Sequence, residues 1–341
     1  MAGAVDDWLG PCATPTSRND EARLTGIIFT KTIVFFYLDA QTTSKQLIAT
    51  QQDHLTMGDA DEYTLVPPPW ALKGTVYLFA FWTTRSQAAN PPSFAYSPLE
   101  ASAGYATPEG SRHLGGLSMI QLIRYTESPV GPYDELILSP GFHEYTVEEA
   151  GRRVKKRNAR ITRIYVSQRQ TCWNGRKNWN IPKHLAAFDW QDHQDGSTTI
   201  KVYPHDTEPV SAAEASPSKT PFFQTTFRPT PFVPSFPISM SLFKHLGVDA
   251  TLVQPPLPQG QGSHGELPGT DRWCAVAPDQ SSRRSSIGWF DLRQTDDQGN
   301  VVGEHENFWP GFWRWHLGVK MEGAEIGFGE GKYWDAPKSL L

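Results

Sequence analysis

Apolar and polar residues alternate over short stretches along most of this chain, and turn residues separate the stretches. Such alternation is typical of strands that bury one face. The pattern predicts strands over Lys73–Trp82, Leu117–Tyr125, Glu135–Leu138, Ile161–Gln168, Thr199–Tyr203, Ser285–Arg293, Trp313–Met321 and Ala324–Phe328.

One stretch, Thr146–Asn158, has the spacing of a helix instead. Val147, Ala150 and Val154 recur at helical intervals among charged residues, and a threonine stands where the first turn needs a cap. We therefore expect a helix here.

Helices are otherwise sparse, and no helical pattern stands between strands where parallel crossovers would need one. This favours a mainly β fold, an antiparallel sheet or barrel, over a doubly wound one. No internal repeat indicates a propeller or solenoid. We expect a single domain over residues 57–341, with surface loops near 204–221 and 255–269, after a leader at 1–56 of uncertain structure.

The composition of the 341 residues is that of a globular protein. Hydrophobic residues make up 38% and charged residues 20%, which argues against wholesale disorder. The formal net charge of −5 gives no electrostatic reason to expect a nucleic-acid partner.

Cysteine usage and hydropathy indicate the compartment. Cys12, Cys172 and Cys274 are odd in number and far apart, which is not typical of a disulfide framework or a zinc site. The apolar stretch Gly26–Tyr37 is interrupted by Lys31 and is too short to span a bilayer. A cytoplasmic protein without membrane association is the expectation.

The densest cluster of charge is basic and covers Arg152–Arg157. A nucleic-acid or nuclear-import motif is one interpretation. The alternative is a solvated helix face, which we favour because Glu148 and Glu149 precede the run and the whole chain is acidic.

No cofactor or metal is predicted. The ten histidines show no HxxxH spacing and the cysteines no CxxC spacing. A phosphate-binding loop, a dinucleotide fingerprint and a Gly-x-Ser-x-Gly nucleophile turn are missing as well.

Lys183 is the strongest candidate for chemistry, because it follows Pro182 among apolar and aromatic residues in the segment Asn174–Ala186. A lysine in water has a pKa of about 10.4, so almost none of it is a free amine at neutral pH. Burial or a nearby cation lowers that pKa, and the free amine then attacks carbonyl groups. We expect a largely uncharged amine that faces a hollow in the barrel.

The same segment resembles the active-lysine segment of the acetoacetate decarboxylase family, which has a Gly-Arg pair followed by Pro-Lys, a second basic residue and Leu. Gly175-Arg176 and Pro182-Lys183-His184-Leu185 match it without a gap. Upstream, Gly131-Pro132-Tyr133-Asp134-Glu135 resembles the family's Gly-x-Tyr-x-Glu segment. The resemblance implies a barrel that encloses a pocket, Lys183 as the amine that forms a Schiff base, and Glu135 as an active-site acid.

Two positions depart from the family pattern. His184 replaces a second lysine, and its side chain is expected to point away from that of Lys183 if both lie in a strand. The family arginine on the substrate side has no counterpart, since Thr75 stands there with Lys73 two residues earlier.

Further aromatic and basic residues are candidates for tuning the amine or for lining a pocket. They are Tyr133, Trp173, Arg176 and Trp179, with His184 as a possible proton carrier. For each aromatic residue, ordinary core packing is an equal alternative.

Three functions follow from this sequence. The first is a cofactor-independent enzyme that decarboxylates a β-keto acid through a lysine imine, with a larger, apolar keto acid of secondary metabolism as substrate. The second keeps the imine but performs aldolase, dehydratase or isomerase chemistry. The third is a non-catalytic barrel that binds a small molecule. A homo-oligomer is possible in each case.

Overall fold

Strands dominate the computed structural model, as the alternating pattern predicts. The structure describes residues 63–92, 95–107, 111–204, 221–241, 249–295, 298, 300–303 and 312–335. The predicted leader and most of the loop predicted at 204–221 lie outside these residues. Contacts group residues 62–341 into one unit.

The strands, in chain order, are β1 (Trp70–Thr83), β2 (Arg112–Glu127), β3 (Tyr133–Ser139), β4 (Phe142–Glu149), β5 (Arg152–Ala159), β6 (Arg163–Val166), β7 (Lys183–Asp192), β8 (Thr198–Pro204), β9 (Phe223–Pro229), β10 (Phe236–Ser239), β11 (Leu252–Gln254), β12 (Trp273–Val276), β13 (Asp279–Asp291), β14 (Gln294–Thr295), β15 (Val301–Gly303), β16 (Trp315–Phe328) and β17 (Lys332–Trp334). The helices are α1 (Arg85–Ala89), α2 (Pro98–Ala101) and α3 (Arg169–Trp179), with a 3₁₀ turn at Gly104–Ala106. No helix among the described residues is long and apolar enough to cross a membrane.

Nine strands close into a barrel, which confirms the predicted mainly β, barrel-like fold. Their order is β1-β16-β13-β9-β8-β7-β6-β3-β2, and β2 pairs with β1 to complete the ring. All these pairs are antiparallel except β6 with β7. Parallel neighbours need a crossover connection, and α3 supplies it. The expectation that crossover helices are missing was therefore wrong at this one place.

A branch of shorter strands continues the sheet beyond the barrel. The first part of β2 pairs with β4, and the series runs on through β5, β11, β12 and β17. Outside this series, β10 pairs with β13, and β14 pairs with β15 in a separate sheet.

The predicted helix at Thr146–Asn158 is a β-hairpin of β4 and β5. Val147 lies directly opposite Val154, so their helical spacing reflects a pair across two strands. Ala150 and Gly151 form the turn with φ values of 49° and 73°. Positive φ at both central residues matches the right-handed twist of a hairpin and excludes a helix.

The basic run Arg152–Arg157 consequently lies on strand β5 and not on a helix. It is largely exposed, and acidic residues of the facing strand neutralise part of it. Lys155 Nζ lies 3.0 Å from Glu144 Oε1, and Lys156 pairs with Glu149. The run is solvated, as we favoured, but the expectation that it forms a helix face was wrong.

Two apolar clusters occupy opposite faces of the barrel wall. One contains buried residues from every barrel strand except β16, among them Phe79, Leu136 and Phe227. Only the interior of a closed barrel brings such strands together. The other cluster joins adjacent strands β7, β6, β3, β2, β1 and β16 to α3, so it is a layer between the outer face of the wall and the helix.

The segment 255–269 has no regular secondary structure, in agreement with the sequence, and its middle, 261–265, is exposed or half-buried, but other parts of it are not at the surface. Glu266 and Leu267 are fully buried, and Leu267 belongs to the layer beneath α3. Buried Cys172 and Cys274 lie in the same layer as free thiols. This segment is therefore part of the structure that holds α3 in place.

Candidate active site

The end of α3 sets the position of Lys183. Asn180 takes the left-handed conformation with φ 54°, and its N–H donates to the carbonyl of Arg176. The Ile181 N–H donates to the Gly175 carbonyl at 3.2 Å. A left-handed residue followed by a proline is a usual way to end a helix. Strand β7 then begins at Lys183 and runs back beside α3.

The Lys183 side chain lies in the layer between the barrel wall and α3. Leu185, two residues on and on the same face of β7, belongs to that layer, whereas Ala186 belongs to the barrel interior. The predicted hollow inside the barrel is therefore not where this amine points. Gly175 makes room for it, since a Cβ there would lie 2.6 Å from Lys183 Cδ.

Three groups surround the amine of Lys183, a residue that is 4% exposed. Nζ lies 2.9 Å from Glu135 Oε2 and donates to Thr171 Oγ1 at 3.0 Å. It also lies 5.1 Å from the centre of the Tyr133 ring. The structure thus brings together Lys183, Glu135 and Tyr133, three of the residues that the sequence singled out.

Glu135 has a second partner on its other oxygen. The Tyr125 hydroxyl donates to Glu135 Oε1 at 3.0 Å, and the Tyr125 and Tyr133 rings lie 4.4 Å apart. Burial and the Glu135 charge raise the pKa of Tyr125 well above its usual value. Tyr125 is therefore a neutral donor that holds the carboxylate beside the amine.

The charge on Lys183 differs from the expectation. Burial lowers the pKa of this lysine, but the negative charge of Glu135 acts in the opposite direction and outweighs it, so the net pKa is raised. Lys183 therefore rests as an ammonium beside Glu135. The expectation of a largely uncharged amine was wrong because it considered burial without the carboxylate at 2.9 Å.

His184 points to the other face of β7, as alternation along a strand predicts. Its Nε2 lies 2.6 Å from Glu100 Oε2. Together with Arg176, His184 holds the pKa of Glu100 at about 2, against the opposing effect of burial. An ionised carboxylate only accepts hydrogen bonds, so Nε2 is the donor.

Arg176 is fully buried, and each of its three nitrogens donates at least one hydrogen bond. NH1 donates to Glu100 Oε1 at 2.8 Å and to the Lys183 carbonyl at 3.2 Å. Nε and NH2 donate to the carbonyls of Pro268 and Pro258, each at 3.1 Å. Arg176 therefore fastens α3, the start of β7 and the segment 255–269 to one another, which fixes the backbone of Lys183.

The two tryptophans have packing roles. Trp179 meets Trp70 edge to face with ring centres 5.2 Å apart and donates to the Gly329 carbonyl. Trp173 stacks on Tyr63 at 5.6 Å. These contacts anchor α3 against the barrel and the segment before β1.

The positions compared with the family arginine supply no cation to this site. Thr75 is uncharged, and Lys73 Nζ pairs with Glu127 Oε2 at 3.0 Å where both side chains are more than half exposed. Of the three residues around the Lys183 amine, Thr171 and Tyr133 are neutral and Glu135 is the charged partner.

Sequence reasoning missed Thr171, Tyr125 and Glu100. The register of β2 with β3 places Tyr125 opposite Tyr133, so a correct hairpin prediction would have found the tyrosine. Thr171 and Glu100 carry no signal in the sequence, because helices α3 and α2 bring them to the site. Within the described ranges, no cluster of three His, Cys, Asp or Glu residues is arranged to hold a metal ion.

No protein-family model and no curated protein matches the chain. Solved structures do. One is the acetoacetate decarboxylase of Legionella pneumophila, with a TM-score of 0.46 and 12% identity over 79% of this chain and 88% of that chain. Another structure of acetoacetate decarboxylase gives 0.48 and 11% over 80% and 92%.

A third is the enduracididine biosynthesis enzyme MppR, complexed with the condensation product of pyruvate and imidazole 4-carboxaldehyde. It gives a TM-score of 0.45 and 14% identity over 81% of this chain and 92% of that chain. Two of the three thus carry the name of the family that the segments around Lys183 and Glu135 resemble. Identity of this order says nothing about which residues act, so the site has to be judged from its own geometry.

Proposed function

We propose that this protein is a cofactor-independent enzyme that forms an imine between Lys183 and a ketone, with decarboxylation of a β-keto acid as its reaction. The observation that carries the proposal is the buried pair of Lys183 Nζ and Glu135 Oε2, 2.9 Å apart. An amine nucleophile needs an adjacent group that takes its proton, and this carboxylate is within hydrogen-bond reach.

The pair provides its own activation. While Glu135 is charged, it keeps Lys183 protonated. Once the proton moves to Glu135, that charge is gone, and burial alone then favours the neutral amine. The amine attacks the carbonyl carbon, and the protonated carboxyl returns a proton as the carbinolamine loses water. The product of this stage is a protonated imine and one water molecule.

The protonated imine then serves as an electron sink. The bond to the carboxylate breaks, carbon dioxide leaves, and the electron pair moves to the imine nitrogen to give an enamine. A proton from solvent adds to the carbon and regenerates the protonated imine, which water hydrolyses to a ketone and the ammonium of Lys183. Tyr125 and Thr171 keep Glu135 and Lys183 in register during these transfers.

Substrate entry requires a movement, because Lys183 is enclosed. The cover over it is α3, which is tied to the segment before β1. Asn174 Oδ1 accepts from the Val66 N–H at 2.8 Å, and Asn178 Nδ2 donates to the Val66 carbonyl at 2.8 Å. Release of these two bonds would free the segment beside the helix.

A second reaction uses the same imine. Aldol, dehydration or isomerisation chemistry needs the electron sink but no cation for a departing carboxylate. The lack of a cation from Thr75 and Lys73 favours this alternative over acetoacetate itself as substrate. The third alternative, a binding protein without turnover, predicts that Lys183→Ala retains affinity for ketone ligands.

Reduction with borohydride in the presence of a panel of ketones tests the imine directly. Mass mapping of peptides should find the reduced adduct on Lys183, and Lys183→Arg should abolish it. Lys177→Arg, at an exposed lysine of the same segment, is the matched control and should leave the labelling intact. Failure to label Lys183 with any ketone would refute the proposal.

The reaction class is decided by products. A panel of keto acids and enals, assayed for carbon dioxide and for aldehyde, separates decarboxylation from the aldol-type reactions. Labelling of Lys183 without either product would leave isomerase or dehydratase chemistry, whereas full ketone affinity in Lys183→Ala without any turnover would support the binding protein.

A further inference from the structure

The outer face of the barrel carries an exposed apolar patch, named here the tryptophan face. It lies on four neighbouring strands, β13, β16, β1 and β2, and each of its side chains belongs to a residue at least 40% exposed. Its members are Trp82, Leu117, Trp289, Trp313, Trp315 and Leu317. Single exposed apolar residues are ordinary on a protein surface, whereas a contiguous group of them indicates an interaction site.

The strand register makes the tryptophan face contiguous. Trp82 lies directly opposite Leu117, and Trp289 lies directly opposite Leu317. Strand β16 also pairs with β1, so the two pairs are neighbours. Side chains alternate along a strand, and Phe290, next to Trp289, belongs to the cluster in the barrel interior. The tryptophan face therefore points away from that interior.

The other end of the same outer face has a cover. There, the layer beneath α3 includes Val76 of β1 and Met321 of β16. Leu78 and Val319, directly opposite each other, pack against that layer, and Leu317 lies two residues beyond Val319. Apolar residues on the outer face thus continue past the part that the helix covers, and the structure leaves them exposed.

The tryptophan face has the size of a protein interface. A large aromatic side chain has about 150–250 Å² to bury, so the four partly exposed tryptophans leave on the order of 500 Å² in water. The two leucines, each about half exposed, add to this area. A stable interface of standard size buries about 800 Å² on each partner. Apolar side chains alone therefore supply most of the area that a stable dimer needs.

Arginines at the border of the tryptophan face lie beside acids of the same chain. Arg314 lies 4.8 Å from the centre of the Trp315 ring, and its NH2 lies 2.8 Å from Asp291 Oδ2. Arg228, on β9 beside β13, places NH1 3.7 Å from Asp195 Oδ2. A two-fold dimer brings the same patch of both copies together, so a net charge there would repel itself. An anionic lipid surface would instead need cations without acidic partners. Because both arginines have such partners, a second copy suits this face better.

We propose that two copies of this chain form a two-fold dimer by packing their tryptophan faces on each other. Two sheets pack face to face, about 10 Å apart, through apolar side chains. Tryptophan is enriched among the residues that dominate binding energy in interfaces. Leu317 lies on β16, between β13 and β1, and so near the middle of the contact. The proposal does not rest on imine chemistry, since none of these residues is among the groups around the Lys183 amine.

Sedimentation equilibrium of the full chain over a dilution series tests the dimer. The parent protein should show a monomer–dimer equilibrium. Leu317→Glu should weaken it about 100-fold or more, because the substitution places one charge from each copy in a dry contact. Leu65→Glu is the matched control, since Leu65 is 55% and Leu317 54% exposed, and Leu65 lies in the segment tied to α3. This control should associate like the parent.

Three results of sedimentation would overturn the proposal. They are a parent that stays monomeric at every concentration, a Leu317→Glu variant that associates like the parent, and a Leu65→Glu variant that dissociates as Leu317→Glu does. Trp82→Glu, at a 68% exposed residue of the adjacent strand β1, is a second variant and should also weaken the dimer. Circular dichroism should match the parent in each variant, because every changed side chain lies at the surface.

Oxidative footprinting with mass mapping supplies an independent readout. Trp289 and Trp315 should be protected in the concentrated parent and should become reactive on dilution and in Leu317→Glu. Protection that persists in a monomer would mean that another part of the same chain covers the face, and would overturn the dimer. Vesicles of phosphatidylcholine and phosphatidylserine test the other occupant. Vesicle binding by a monomeric parent that is lost in Leu317→Glu but kept in Leu65→Glu would assign the face to a lipid surface instead.

Discussion

Gly175 and Lys183 face each other across the gap between α3 and β7, and no carbon fits between them. A Cβ on Gly175 would stand 2.6 Å from Cδ and 2.7 Å from Cε of Lys183. The glycine of the Gly-Arg pair is thus explained by the path of the lysine side chain. The arginine of the pair is explained by its bonds to Glu100 and to the Lys183 carbonyl.

Gly175→Ala should therefore displace the Lys183 amine from Glu135. Alanine favours a helix by about 1 kcal/mol over glycine, so the helix itself should persist. A misplacement of about 1 Å costs about 100-fold in rate. We therefore expect imine trapping with borohydride to be about 100-fold slower in this variant than in the parent protein. The matched control is Gly104→Ala, where a Cβ would meet nothing within 4 Å. Equal trapping rates in the two variants would contradict this account of the glycine.

The Lys183–Glu135 pair makes stability depend on pH in a defined direction. Because Glu135 raises the folded-state pKa of Lys183, the pair contributes stability that is fully present below the unfolded pKa of 10.5. This contribution is lost as pH rises through the folded pKa. Chemical denaturation of the parent protein should show a fall in unfolding free energy above that pH.

Glu135→Gln should reverse the sign of this dependence. The neutral amide leaves a buried ammonium without its counter-ion, a loss of about 3–5 kcal/mol at pH 7. Burial then dominates, so the folded pKa of Lys183 falls, and the variant should gain stability as the lysine loses its proton. Lys183→Met with Glu135→Gln is the control and should show no such gain. A single variant as stable as the parent at pH 7 would mean that the pair is not formed.

Glu100 predicts a separate effect in acid. Its folded pKa of about 2 lies below the ordinary value of 4.5, because the pull of His184 and Arg176 exceeds the effect of burial. Stability from this group is present above 4.5 and is lost as pH falls toward 2. This difference between the two pKa values, at about 1.4 kcal/mol for each pKa unit, corresponds to about 3–4 kcal/mol.

Glu100→Gln should lower the unfolding free energy by about that amount at pH 7 and flatten the acid limb between pH 4.5 and 2. Glu144→Gln is the comparison, because Glu144 also pairs with two cations, Arg112 and Lys155, but the side chains of both are more than half exposed. Its loss should cost less than about 1 kcal/mol. An acid limb that is unchanged in Glu100→Gln would show that its pKa is not depressed.

The sequence predicted the fold correctly where strands bury one apolar face. The prediction failed where the buried side chains of an element are polar. Helix α3 shows the reason. Its buried positions include Thr171, Asn174 and Asn178, so the apolar period that marks a helix is missing. Specific hydrogen bonds to Val66 and other backbone groups stabilise it instead, and such partners are invisible in a local pattern.

The candidate site, like the fold, was predictable only in part. Lys183 and Glu135 were found from short motifs, and the structure places them in contact. The charge of the amine was mispredicted, because it depends on the distance between two segments that lie far apart in the sequence. The roles of Arg176 and His184 as partners of Glu100 depend on α2, a four-residue helix without a distinctive sequence pattern.

The hydrogen bond from Tyr125 to Glu135 gives a test of the carboxylate's charge in the folded protein. A bond to a charged acceptor is worth about 1.5–3 kcal/mol, whereas one between neutral groups is worth about 0.5–1.5 kcal/mol. Tyr125→Phe should therefore cost more in urea denaturation at pH 7 than Tyr77→Phe, which loses a buried bond of 3.2 Å to the hydroxyl of Thr198. In Glu135→Gln, the cost of Tyr125→Phe should fall to that of the neutral bond, because the acceptor is then an amide. If the cost is the same with glutamate and glutamine, the carboxylate is not the ionised partner of Lys183, and the proton transfer that begins the proposed reaction loses its base.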